Sequence, residues 1–111
     1  MKKTPPAPVP DRRDEERYSV TLDVYWQNEN GRFEGTISDV NWSGCFILTG
    51  GKVSKGETIH VFLPVRGGAR VQISGVVTNL SEEIGFGLKF EDLNDAQWRT
   101  LEGLITESSK A

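Results

Sequence analysis

A chain of 111 residues is one domain's worth. Its net charge of −3 excludes nonspecific binding to duplex nucleic acid or an anionic membrane over a large surface, where counterion release needs many cations. One cysteine excludes an internal disulfide, a single histidine excludes a His/Cys metal cluster, and no apolar run approaches the length of a membrane span.

Residues 1–10 hold four of the five prolines and show no apolar periodicity, so they read as a flexible, proline-rich tail. The start, Met1-Lys2-Lys3-Thr4-Pro5-Pro6, lacks the apolar segment of a secretory signal, and the expected location is the cytoplasm. Next comes Asp11-Arg12-Arg13-Asp14-Glu15-Glu16-Arg17, a charged arm with basic and acidic residues interleaved. Read in isolation, it is a solvated segment that pairs with itself.

Tyr18 to Trp26 alternates with period two, Tyr18, Val20, Leu22 and Val24 against Ser19, Thr21 and Asp23, and predicts a first strand. Gln27 to Gly31 predicts a turn, with Asn30-Gly31 as its hairpin signal. Phe33 to Val40 predicts a second strand with Phe33, Gly35 and Ile37 on one face, and Ser43-Gly44 a turn or bulge. Cys45 to Leu48 predicts a third, largely buried strand, which makes Cys45 a structural thiol rather than a nucleophile.

Thr49-Gly50-Gly51 and Lys55-Gly56-Glu57 read as turns. Thr58 to Leu63 predicts a fourth strand, stopped by Pro64. Gly67-Gly68 is a turn, Arg70 to Leu80 a fifth strand with a bend or bulge at Gly75, and Gly85 to Phe90 a sixth. Gly85-x-Gly87 is no phosphate loop, because it lacks the third glycine and the strand–loop–helix context. Asn94 followed by Gln97 predicts a capped helix over 94–107, with Trp98, Leu101, Leu104 and Ile105 on one face. Six short strands and one helix predict a mainly β fold, a small antiparallel barrel with the helix covering one mouth or side. Trp26 and Trp98 fit core or rim packing, and Trp42 fits either an exposed binding aromatic or an anchor on the rim.

Two polar motifs carry the functional reading. The first is R-R-x-x-x-R, Arg12, Arg13 and Arg17, just before the first strand. The second is Asp39-Val40-Asn41-Trp42-Ser43-Gly44 at the end of the second. Guanidinium groups pair bidentately with phosphate and with guanine O6/N7. A carboxylate, an acceptor only, complements the N1–H and N2–H donors on guanine's other edge. Asp39 and Asn41 are two apart, so an extended backbone projects both to one face. Asn41 offers a donor and an acceptor, and Gly44 allows positive φ or a close approach. Taken alone, Asp39-x-Asn41 also fits an Asx-turn that ends a strand.

Together the motifs resemble the signature of the PilZ domain, R-x-x-x-R followed by D/N-x-S-x-x-G. Arg13 and Arg17 match the first half, with Arg12 as an extra arginine. Asp39 and Gly44 match the second, and Asn41 stands where the pattern has Ser. Gly85 to Phe90 and the terminal helix extend the similarity, so that residues 11–107 form the PilZ-like domain. The resemblance implies a receptor for cyclic di-GMP, bound by Arg12, Arg13, Arg17, Asp39, Asn41 and Gly44, with an arm that moves on binding to regulate a partner protein. It implies control of motility, adhesion, biofilm or exopolysaccharide, with no catalytic residue, metal or cofactor besides that ligand. The alternative is a PilZ-like adaptor that binds no nucleotide and works through protein contacts alone. Binding of nucleic acid polymers and insertion into a membrane are not expected. No nucleophile–base pair is suggested around His60 or the carboxylates, so no enzymatic activity is expected.

Overall fold

The computed structural model describes residues 17–64, 70–81 and 83–109, and the structural statements below concern these residues. Six antiparallel strands follow one another, β1 (Tyr18–Asn28), β2 (Gly31–Val40), β3 (Gly44–Leu48), β4 (Thr58–Pro64), β5 (Arg70–Ser81) and β6 (Gly85–Glu91). A single helix, α1 (Asp95–Ser109), ends the chain. The strands close into a barrel in the order β1-β2-β3-β6-β5-β4, the architecture expected from the strand count. In this ring β3 faces β4 and β6 faces β1, which sets two opposite sides of the molecule. Closure gives every strand two neighbours, with β1 meeting β4 at Tyr25, Trp26 and Gln27.

Alternation along the strands fills the interior. Val20, Val24 and Trp26 of β1, Ile37 and Val40 of β2, and Ile59, Val61 and Leu63 of β4 are buried. Trp26 is fully buried toward one end, stacked on Phe33 at 4.6 Å between ring centroids and edge-on to Phe86 at 5.1 Å. Its indole Nε1 donates to Thr49 Oγ1 at 3.0 Å, which satisfies the one polar atom of a buried tryptophan.

Helix α1 covers another part of the barrel. Leu101, Leu104 and Ile105 meet Val20, Leu22, Ile37 and Val40. Burying a side chain of this size contributes about 1.5–3 kcal/mol. The helix starts with the reciprocal cap expected from its sequence: Gln97 N–H donates to Asn94 Oδ1 at 2.8 Å, and Asn94 N–H to Gln97 Oε1 at 2.7 Å. Trp42 packs against Trp98, ring centroids 5.8 Å apart, so of the two roles open to Trp42 the rim anchor is the one observed.

Three details differ from the sequence expectation. The first hairpin is tighter: β1 runs on to Asn28, which pairs with Gly31, and only Glu29 and Asn30 form the loop. Gly31 takes positive φ, and Asn28 Oδ1 accepts from Asn30 N–H, so an asparagine before the loop supports it locally. The irregularity of β5 falls at Val77–Asn79 rather than at Gly75. Gly75 stays in register with Phe90, and glycine suits the position because a β-carbon there would press on the Leu88 side chain and the Lys89 carbonyl. Finally, Pro64 is the last residue of β4 and helix α1 extends to Ser109, shifts of one or two residues at element ends.

Candidate functional site

The second motif is built on the connection between β2 and β3. The β2–β3 ladder slips between Ile37 and Asp39, leaving Asp39 opposite Phe46 and Val40 opposite Cys45. This bulge delivers Val40 to the core, while Asp39 remains about one-third exposed on the rim.

Asn41 lies just past the strand and is buried. Its Oδ1 accepts from Ser43 N–H at 2.9 Å, Ser43 Oγ–H at 3.1 Å and Gly44 N–H at 2.8 Å. The Asn41 backbone N–H in turn donates to the Gly44 carbonyl at 2.8 Å. The Asx-turn anticipated from the sequence is therefore the one formed by Asn41, and its acceptor is committed to the turn. Extended-strand spacing, which would carry Asn41 alongside Asp39, does not apply, because Asn41 has left the strand.

Gly44 is needed for a close approach by the backbone of a neighbouring strand. It is not among the described residues with positive φ. Its Cα faces the backbone of β6, where a β-carbon would run into the Leu88 carbonyl oxygen. Phe90 N–H donating to the Ser43 carbonyl at 2.8 Å ties the turn to β6 as well.

The arm meets this turn through its last residue. Arg17 Nη1 donates to Asp39 Oδ1 at 2.7 Å, across 22 positions of sequence. The arginine side chain is 63% exposed and the aspartate 32%, so the pair sits in water and contributes on the order of 0–1 kcal/mol. Arg12 and Arg13 lie outside the described residues, as does the tail 1–10.

Arg17, Asn41 and Gly44 line one depression of about 240 Å³ on the outer face of β3, β6 and β5. Sequence reasoning missed the other polar residues there, Thr78, Asn79 and Lys89, and the floor at Gly87. The bulge in β5 turns both Thr78 and Asn79 outward, with Thr78 Oγ–H donating to Asn79 Oδ1 at 3.0 Å. A β-carbon on Gly87 would meet the Asn79 side chain, so glycine keeps this floor low. Two adjacent polar residues interrupting the apolar alternation after Val77 were the available signal. Only strand pairing shows that they face Gly87 rather than another part of the barrel. Cys45, beneath the same depression, is buried, and burial, aided by the nearby Asp39 charge, pushes its thiol up from 9.0 to about 12. It is a neutral core group.

Comparison with known proteins places the chain. Residues 11–107 match the family model of the PilZ domain, and the chain belongs to that family, one of cyclic di-GMP receptors. Among solved structures it is similar to the PilZ domain of CeSA from a cellulose-synthesizing bacterium, with a TM-score of 0.64, 15% identity, and coverage of 84% of this chain and 97% of that one. It is also similar to the Bacillus subtilis inhibitor of motility (MotI/DgrA), with a TM-score of 0.63, 19% identity and coverage of 82% of this chain. In that case it spans about half, 48%, of the other chain. No curated protein matches the sequence significantly. Among the described residues no helix is long and apolar enough to cross a membrane.

Proposed function

We propose that this chain is a cyclic di-GMP receptor whose charged arm closes over the depression on β3, β6 and β5. The observation that carries this reading is the contact of Arg17 with Asp39. It brings the end of one motif onto the other, beside an open, polar concavity.

The proposed chemistry is an exchange of partners. Arg17 leaves Asp39 for a ligand phosphate, a step that costs little because the exposed pair is weak. The freed Asp39 carboxylate then accepts from the N1–H and N2–H of guanine. Lys89 adds a second cation at the depression, and Thr78 and Asn79 add neutral polar groups. The depression is smaller than the roughly 300 Å³ at which small-molecule sites begin. Arg12 and Arg13 on the arm supply the missing wall and the remaining phosphate contacts. Asn41 and Gly44 serve the ligand by holding the turn in shape. The ordered arm is the output, and a regulated protein reads its position. The structural likeness to an inhibitor of motility and to a PilZ domain from a cellulose-synthesizing bacterium supports a role in motility, adhesion, biofilm or exopolysaccharide control.

A protein adaptor that binds no nucleotide is the second reading. It is favoured by the way Arg17 and Asp39 satisfy each other and by the commitment of Asn41 Oδ1 to its own turn. Calorimetric titration with cyclic di-GMP separates the two, using wild type, the Arg13→Ala, Arg17→Ala double variant and a GTP control. Saturable binding by wild type alone, absent with GTP, establishes the receptor. The absence of heat and of any thermal shift at high ligand concentration sinks the receptor reading and turns the search to a protein partner.

A further inference from the structure

The side of the barrel opposite the depression carries a feature that core packing does not explain. Tyr25 of β1 and Phe62 of β4 are direct cross-strand partners. Each lies between two buried residues on its strand, so both rings point outward and neither belongs to the core or packs against it. Each is covered by an exposed arginine from a flanking strand. Arg32 of β2 lies over Phe62 with its Cζ 4.6 Å from the ring centroid, and Arg70 of β5 over Tyr25 at 4.8 Å. Both distances are within cation–π range.

The charge pattern is equally uneven. The chain as a whole is acidic, yet neither β4 nor the stretch 70–76 of β5 contains a single carboxylate. His60 of β4 and Gln72 of β5 sit there, with Gln72 Nε2 3.2 Å from His60 Nδ1. Carboxylates border the patch at Asp23 and Glu34 beside Tyr25, and at Glu91 of β6, which pairs with Ser74; Asp23 accepts from Thr36 Oγ–H at 3.1 Å. Asp23 and Glu34 line a groove of about 470 Å³ with Arg70 on its wall, roomier than the depression at Asn41 and Gly44.

A guanidinium held over a ring has lost much of its rotational freedom and still has N–H groups for a carboxylate, although Arg32 Nη2 also donates to Gln27 Oε1 at 3.4 Å. Arginine and aromatic residues together are the composition of energetic centres in protein interfaces. We infer that the Tyr25–Phe62 face is a docking surface for a partner protein segment that presents carboxylates next to apolar side chains, the carboxylates pairing with Arg32 and Arg70 and the apolar groups covering the two rings. Because β1 and β4 lie across the barrel from β6 and β3, such a partner binds without touching the depression.

The test uses the full chain, ¹⁵N-labelled, and three probes: a synthetic peptide alternating glutamate with leucine and phenylalanine, its lysine-for-glutamate counterpart, and an oligothymidylate. The expected result is saturable binding of the glutamate peptide alone, with amide shifts clustered at Tyr25, His60, Phe62 and Gln72. An Arg32→Ala, Arg70→Ala double variant with an unchanged melting temperature is expected to weaken binding by about tenfold or more. Saturating cyclic di-GMP should leave the peptide bound. No saturation, equal binding of the lysine peptide, preference for the oligothymidylate, shifts centred elsewhere, or displacement by cyclic di-GMP would each overturn the inference.

Discussion

Arg17 and Asp39 are joined by a 2.7 Å ion pair between the residue that enters β1 and the residue that leaves the bulge of β2. The Tyr18–Val40 pairing beside it makes this contact a direct result of the β1–β2 register. A solvated pair of this kind adds little to folding, and its value lies in where it holds the two groups.

Replacing either member by alanine therefore separates binding from stability. Arg17→Ala and Asp39→Ala are each expected to change the free energy of unfolding by less than about 1 kcal/mol in urea titrations. Each is expected to reduce cyclic di-GMP affinity by about tenfold or more in calorimetry, the effect of losing a charge-assisted hydrogen bond of roughly 1.5–3 kcal/mol. A loss of stability without a loss of affinity would count against the partner exchange.

Asn41 behaves in the opposite way. Its Oδ1 accepts from three donors inside a buried turn, and Asn41→Ala leaves the two backbone N–H groups of Ser43 and Gly44 without it. The expected cost is about 2 kcal/mol, read as a lower urea midpoint at unchanged m-value. Asn41→Ser restores the residue type of the PilZ pattern. A serine hydroxyl forms the same kind of turn more weakly, so this variant should fall between wild type and alanine. Equal stability of all three would show that the turn does not depend on this side chain.

Gly44→Ala tests the contact between strands. The added methyl group meets the Leu88 carbonyl, part of a backbone that cannot swing aside. The expected loss is about 1–3 kcal/mol, measured by thermal or chemical denaturation. Gly103→Ala is the control: it has open space around it and, on a helix, is expected to be stabilising by roughly 0.5–1 kcal/mol.

Cys45 gives a prediction on pH. Burial holds the folded thiol at about 12 against an ordinary value of 9.0. The unfolded chain therefore loses this proton first as pH rises. The contribution is fully present below pH 9 and is lost progressively toward pH 12. Urea midpoints of wild type should fall more steeply across that window than those of Cys45→Ala. In native buffer at pH 8 the thiol should react with a disulfide reagent only as fast as the protein opens. Immediate reaction would place it at the surface.

Much of the architecture was legible in local sequence. Period-two alternation in residues 18–26 and 58–63, the turn residues between them, and the Asn94–Gln97 cap act within a few residues of chain, and their structural counterparts are β1, β4 and α1. The Asn30–Gly31 signal marked the hairpin but not its register. The tight loop at Glu29–Asn30 was decided by Asn28 and Gly31 pairing across it. The same limit applies to the site, where spacing identified Asp39, Asn41 and Gly44 but assigned similar outward roles to all three.

By itself, the sequence determined which segments become strands and helix, because side-chain alternation and capping depend on neighbours a few positions away. It also determined that two polar motifs flank the first hairpin. Tertiary structure decided the rest, because strand register and barrel closure join residues far apart in the chain. Strand pairing set Arg17 against Asp39 and pressed Gly44 against Leu88, whereas Asn41 holds its own loop through neighbours two and three residues away. Pairing also brought Thr78, Asn79 and Gly87 to the depression beside them, and left Tyr25 and Phe62 paired beneath two arginines on the opposite side.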